Sequence, residues 1–256
     1  MFIILNIAMI ATLLITVVIL PGFCFLNLKT IRFLQKNVGW WFCVGFNKFV
    51  LPHPLHISGD QSPVMDDDMR YVSVSNHLSF LDIPILFIAL RSSFVMKKSI
   101  LWSPYGLLGL TWGAIAIKRN NLRSLSETLK KLLRYVRGGV RVHIFPEGTR
   151  SRNGELLEFK KGMIHKFYKE KMPILCCALW NTNGVVPADD YDLANIKFEP
   201  VWVHIGKLVD PKDFDDFNIF FQTVRDEILA SLKILQEKER LFLTGDGDLP
   251  GFTENH

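Results

Sequence analysis

The chain has 256 residues, 49% of them hydrophobic, and a formal net charge of +5, so it can bury one substantial core with apolar residues left over beyond what a purely soluble domain uses. The charge is modest and the aromatic residues sit in apolar runs without interleaved basic side chains, which argues against binding nucleic acid. The four cysteines show no metal-ligand spacing, and Cys176 and Cys177 are adjacent, so reduced thiols are expected and a zinc site is not.

The excess apolar residues are local. Residues 2–20 carry no charge, and at about 1.5 Å per helical residue such a run matches the ~30 Å hydrocarbon layer of a bilayer. A membrane segment is expected there. It lacks a basic start and ends in Pro21-Gly22, so it reads as retained and not as a cleaved signal; a full span and a helix dipped into one leaflet both remain open. Lys29, Arg32, Lys36 and Lys48 follow, with no acidic residue before Asp60. This places the bulk of the chain on the cytoplasmic side of a bacterial inner membrane or its equivalent, with the basic residues near membrane lipids. Residues 38–51 contain Trp40, Trp41 and Lys48. They are too few to span and read as an interfacial or re-entrant helix, a core helix being the alternative.

Pro52-His53-Pro54 breaks helix, so the expected organisation is N-terminal membrane-anchoring helices at 1–54, a folded domain at 55–243 and a flexible tail at 244–256. Strands are expected at 56–59, 71–75, 94–97, 114–118, 140–145, 174–179 and 197–205, with helices at 80–90, 103–110, 125–137, 160–171 and 217–240. Ser124 with Glu127 forms a capping-box pattern, and Gly138-Gly139 stops that helix. The alternation specifies a single α/β domain with a mixed, largely parallel sheet flanked by helices. The acidic run at 189–192 reads as a solvated turn.

Two short segments carry the chemistry. NHLSFLD (Asn76 to Asp82) follows the strand at 71–75, and FPEGTRS (Phe145 to Ser151) follows the strand at 140–145. Both place polar groups at strand ends, where α/β sheets build their sites. Five residues turn about 500° on a helix, so His77 belongs to the loop and Asp82 alone to the helix. Ser79 is a fair N-cap and Pro84 is tolerated in an early turn.

With GAIAIKR at residues 113–119, these motifs stand in the order and spacing of the glycerolipid acyltransferases, and the chain resembles that family over roughly residues 58–205. It departs from the pattern at Ala116, where many members have an aromatic residue, and at Cys176, where a second proline is common. The resemblance implies transfer of a fatty acyl group from an acyl-CoA or acyl-carrier protein donor to the free hydroxyl of a lysophospholipid acceptor, most directly 1-acyl-glycerol 3-phosphate. Another lysolipid, or a catalytically silent lipid-binding scaffold, is the alternative. With neither a ligand cluster nor a GxGxxG fingerprint in the sequence, no metal or organic cofactor is implied.

Such chemistry needs a base, and His77 suits it, with Asp82 to hold the ring. Ser79 lacks a G-x-S-x-G elbow and reads as a cap or oxyanion contact; Asn76 orients the loop or donates to the oxyanion. Lys118, Arg119 and Arg150 are candidates for the acceptor phosphate. By the resemblance Phe145, Glu147, Gly148 and Arg150 belong to acceptor binding. Glu147 is expected to bond the acceptor hydroxyl or clamp Arg150, Gly148 to allow a tight turn and Thr149 to cap or touch phosphate. Lys160-Lys161 opens a helix, either solvated or near donor phosphates.

Overall fold

The computed structural model describes residues 27–49, 54–102, 106, 109–110, 112–117, 122–188 and 197–245. The expected membrane segment at 2–20, the pair Lys118 and Arg119, the acidic run at 189–192 and most of the tail lie outside these.

Among the described residues seven strands form one sheet: β1 (Leu55–Gly59), β2 (Val72–Val74), β3 (Ser93–Lys97), β4 (Ile115–Ile117), β5 (Val142–Ile144), β6 (Ile174–Trp180) and β7 (Val201–Val209). Their order is β1-β7-β6-β2-β5-β3-β4. Every pairing is parallel except β6 with β7, which gives the mixed, mostly parallel sheet expected. The central strands are buried on both faces and read as near-continuous apolar runs, the pattern of parallel strands covered by helices. Alternate residues feed two cores. Val72, Val74, Val142, Ile144, Cys176 and Ala178 point to one face, and Leu175, Cys177, Leu179, Val201 and Val203 to the other.

On the first face lie α5 (Leu122–Arg137), α6 (Lys161–Lys169) and α8 (Phe217–Thr244), which bury Leu132, Val136, Ile164, Phe167, Phe220, Val224 and Ile228. The capping-box expectation is corrected here. The helix begins at Leu122 and Ser124 falls inside it, because the strongly amphipathic pattern extends a turn further upstream than the local cap signal. The helix stops as expected, with Gly139 at φ +83° just beyond it.

On the second face lies α4 (Asp82–Leu90). Against it packs the N-terminal helix: α1 (Leu28–Phe33) runs through a π-helical stretch (Leu34–Gly39) into α2 (Trp40–Phe49). Gln35 is fully buried. Its Nε2 donates to Ser93 Oγ (2.9 Å) and Arg141 O (2.7 Å), and its Oε1 accepts from the Arg141 N–H (3.1 Å), tying the helix to the starts of β3 and β5. A Cβ on Gly39 would lie 2.8 Å from the Phe87 ring and 2.9 Å from that of Trp112, so the missing side chain permits the close approach. Trp40 Nε1 donates to Ile88 O at 3.0 Å. Of the two readings for residues 38–51, residues 38–49 therefore pack into the core on one side; on the other, Phe33, Val38 and Trp41 are exposed. Among the described residues no helix is long and apolar enough to cross a membrane.

Candidate active site

Because β2 lies between β5 and β6 and all three run parallel, the segments that follow them meet at one sheet edge. Those segments are residues 75–82, 145–151 and 181–186.

Asp82 is the first residue of α4 and completely buried. Its carboxylate turns back on the preceding loop. Oδ2 accepts from His77 Nδ1 (2.6 Å), the Leu78 N–H (2.6 Å) and the Ser79 N–H (3.0 Å), and Oδ1 accepts from the Thr182 hydroxyl at 2.5 Å. A carboxylate facing Nδ1 requires the proton there, which leaves the lone pair on Nε2 at the opposite side of the ring. The side chain of His77 is 17% exposed while that of Asp82 is 0% exposed, so the imidazole faces outward and the carboxylate does not. The expected division, His77 in the loop and Asp82 on the helix, holds.

The FPEGTRS loop wraps His77. The Phe145 ring stacks on the imidazole, centroids 3.8 Å apart and planes 12° apart. Glu147 Oε1 accepts the His77 N–H at 2.9 Å and its Oε2 accepts the Leu157 N–H at 3.3 Å, while the Ser151 N–H donates to His77 O at 2.7 Å. Burial raises the Glu147 carboxyl to about 7, against the pull of its two N–H donors. Gly148 turns at φ +72°, and a Cβ there would lie 2.7 Å from the Lys160 ammonium, so the Lys160 side chain lies across this turn. The Lys160 N–H bonds Pro146 O at 2.9 Å. Beneath Phe145 sits His143, whose Nε2 and Nδ1 lie 3.1 Å from Ser75 Oγ and 3.0 Å from Ser73 Oγ. Burial lowers its pKa to about 3, with the nearby His77 a second cause, so this ring is neutral and structural.

These contacts decide between the two roles expected of Asn76 and correct the expectations for Ser79 and Glu147. Asn76 orients the loop: fully buried, it donates to Leu179 O (2.9 Å) and accepts from the Leu179 N–H (2.8 Å), pinning the loop to β6. Ser79 is not the N-cap, a position held by Leu81. Its hydroxyl donates to Val186 O (2.8 Å) and accepts the Leu81 N–H (3.3 Å), which takes it out of reach as a nucleophile or oxyanion contact. Glu147 directs its two oxygens to the backbone N–H groups of His77 and Leu157, so these bonds clamp the His77 peptide and not Arg150. Thr149 is exposed and Arg150 partly exposed on the same loop. β4 ends at the same edge, two strands from β5, and Lys118 and Arg119 follow it outside the described residues. Thr182 went unnoticed in the sequence; it sits 100 positions from Asp82, and its sole signal was its place after a strand. Among the described residues no group of three or more His, Cys, Asp or Glu side chains is placed to hold a metal ion.

An outward imidazole locked by a buried carboxylate, with Ser79 turned away, thus stands at the strand ends of a mostly parallel α/β sheet, where enzymes of this fold class build their sites. Residues 56–180 match the acyltransferase family model. The chain is 30% identical over 174 residues to the 1-acyl-sn-glycerol-3-phosphate acyltransferase of Borreliella burgdorferi, covering 64% of this chain and 67% of that one. It is 28% identical over 195 residues to the corresponding Haemophilus influenzae protein, covering 73% and 76%. With a chloroplastic relative from Brassica napus it shares 35% over 130 residues, 50% of this chain but only 38% of that longer protein. The crystal structure of PlsC from Thermotoga maritima has the same fold, with a TM-score of 0.64 at 23% identity over 90% of this chain and 95% of that one. The chain belongs to the PlsC-like acyltransferase family, and it is an acyltransferase.

Proposed function

We propose that the protein transfers a fatty acyl group from a thioester donor, acyl-CoA or acyl-carrier protein, to the free hydroxyl of 1-acyl-glycerol 3-phosphate, forming phosphatidate. The observation that carries this reading is the 2.6 Å contact between His77 Nδ1 and Asp82 Oδ2, with Nε2 directed outward. Nε2 takes the hydroxyl proton as the oxygen attacks the thioester carbonyl. The C–O bond forms, the C–S bond breaks, and the imidazolium returns the proton to the leaving thiolate. Asp82 faces the positive charge that builds on the ring, and a base so held contributes about 10²- to 10⁴-fold. Arg150, on the loop that grips His77, offers the acceptor phosphate paired N–H donors, and the Lys118-Arg119 pair adds charge from the end of β4. The protein works at a membrane, anchored by residues 2–20 on the cytoplasmic side. The exposed Phe33, Val38 and Trp41 of the N-terminal helix support that surface contact.

The test is the purified protein in detergent with a panel of lysolipids and both donor types, beside His77→Ala. Lysophosphatidate is expected to be the preferred acceptor, and His77→Ala to lose about 10²-fold or more in kcat. Preference for another lysolipid overturns the acceptor assignment; near-normal turnover in the variant removes His77 from the chemistry.

A further inference from the structure

The Asp82 carboxylate is held unequally. Three donors converge on Oδ2, namely His77 Nδ1 and the N–H groups of Leu78 and Ser79. They fix one oxygen and leave the carboxyl plane free to swing about it. Oδ1 is set by the Thr182 hydroxyl at 2.5 Å. A hydrogen bond to a carboxylate is best made near its plane, so that plane governs how well Oδ2 meets the Nδ1 proton.

Thr182 is well placed for this because its own position does not depend on Asp82. It follows β6 after Asn181, which turns the chain in the left-handed region at φ 64°. The Asn181 side chain is anchored to Glu199 Oε2 (3.2 Å) and Pro200 O (3.0 Å). At the other end of the segment, Val186 O accepts the Ser79 hydroxyl. The short helix α7 (Thr182–Val185) is thus braced on both sides, and Thr182 is fully buried within it.

We infer that Thr182 is a positioning residue of the catalytic pair, its hydroxyl setting the plane of the Asp82 carboxylate against the imidazole of His77. The inference rests on the reading of His77 as the base. It predicts a loss confined to turnover, because Thr182 is fully buried and its hydroxyl is bonded to Asp82. Thr182→Val keeps the shape and removes the donor; Thr182→Ser keeps the donor.

The full-length protein in detergent is assayed for kcat and for the KM of acceptor and donor, and the downfield proton resonance of His77 Nδ1–H is recorded by NMR. Thr182→Val is expected to lower kcat about tenfold or more with both KM values within about twofold of wild type. Its Nδ1 proton should move upfield, and Thr182→Ser should restore rate and resonance. Wild-type kcat and an unmoved resonance in the valine variant would overturn the inference. So would a loss falling on KM, or a serine variant as impaired as valine. Should the valine variant not fold, Thr182→Cys takes its place as a weaker donor of similar size; an intermediate kcat is expected, and a wild-type kcat refutes. If the wild-type protein acylates no lysolipid, the functional reading fails, while the resonance still decides the role of Thr182.

Discussion

Replacing Asp82 by asparagine separates the charge of this residue from its geometry. The Leu78 and Ser79 N–H groups, 2.6 and 3.0 Å from Oδ2, admit only an acceptor, so the amide oxygen must occupy that place and still receive the Nδ1 proton. The tautomer of His77 is preserved. The new NH2 group faces the Thr182 hydroxyl, which can accept from it. What is lost is the negative charge beside the imidazolium. At an effective dielectric constant of ~20, unit charges about 4 Å apart attract by about 4 kcal/mol, which is roughly 10³-fold in rate if fully used. A residual neutral hydrogen bond retains about 0.5–1.5 kcal/mol, so a fall in kcat of about 10²- to 10³-fold is expected, with KM little changed and the melting temperature close to wild type. The assay is thiol release from the acyl thioester with saturating lysophosphatidate. A folded variant with kcat within about twofold of wild type would show that the charge plays no part. Alanine is the poorer probe, since it orphans several buried donors at about 1–3 kcal/mol each and confounds rate with folding.

Other expectations follow from the same contacts. Glu147 has a folded-state pKa raised from 4.5 to about 7, so the native protein holds an extra proton across that window and its stability falls as pH rises through it, by roughly 3 kcal/mol in all. His143, lowered from 6.5 to about 3, acts in the opposite sense, its contribution being lost as pH falls below 6.5. The difference between wild type and Glu147→Gln in denaturant unfolding at several pH values isolates the glutamate; a pH-independent difference contradicts its titration. Arg150→Ala is expected to lose about 1.5–3 kcal/mol in kcat/KM for lysophosphatidate, and Arg150→Lys to remain impaired. An equal loss toward monoacylglycerol would make the arginine structural. A chain truncated to begin at Leu55 loses Ile31, Gln35 and Cys43 from the core and bares the outer side of α4; it is expected to show no cooperative thermal transition, and a sharp one would mark residues 27–49 as dispensable to the fold.

The strands and the His77–Asp82 division were legible in the chain because both depend on short-range properties: the two-residue alternation of a pleated strand, the 3.6-residue turn of a helix, and breakers such as Gly138-Gly139. Each of the seven strands lies within a few residues of its expected place. The same local reasoning put the imidazole in a loop and its carboxylate on a helix only five positions later. What it did not reach were contacts between segments far apart in the chain. Asn76 meets Leu179, Ser79 meets Val186, Glu147 meets the His77 peptide and Thr182 meets Asp82 because the sheet order is β6-β2-β5. Periodicity says which face of a strand is apolar but not which strand lies beside it. The roles of these polar residues were therefore decided by tertiary structure: a buried polar side chain bonds whatever donor or acceptor the neighbouring strand end presents, since leaving it unpaired costs more than any local alternative offers. The helix of residues 28–49 follows the same logic. Its tryptophans and basic residues suit a membrane surface, yet Gly39 and Gln35 take on their meaning only against Phe87, Trp112 and the first residues of β3 and β5.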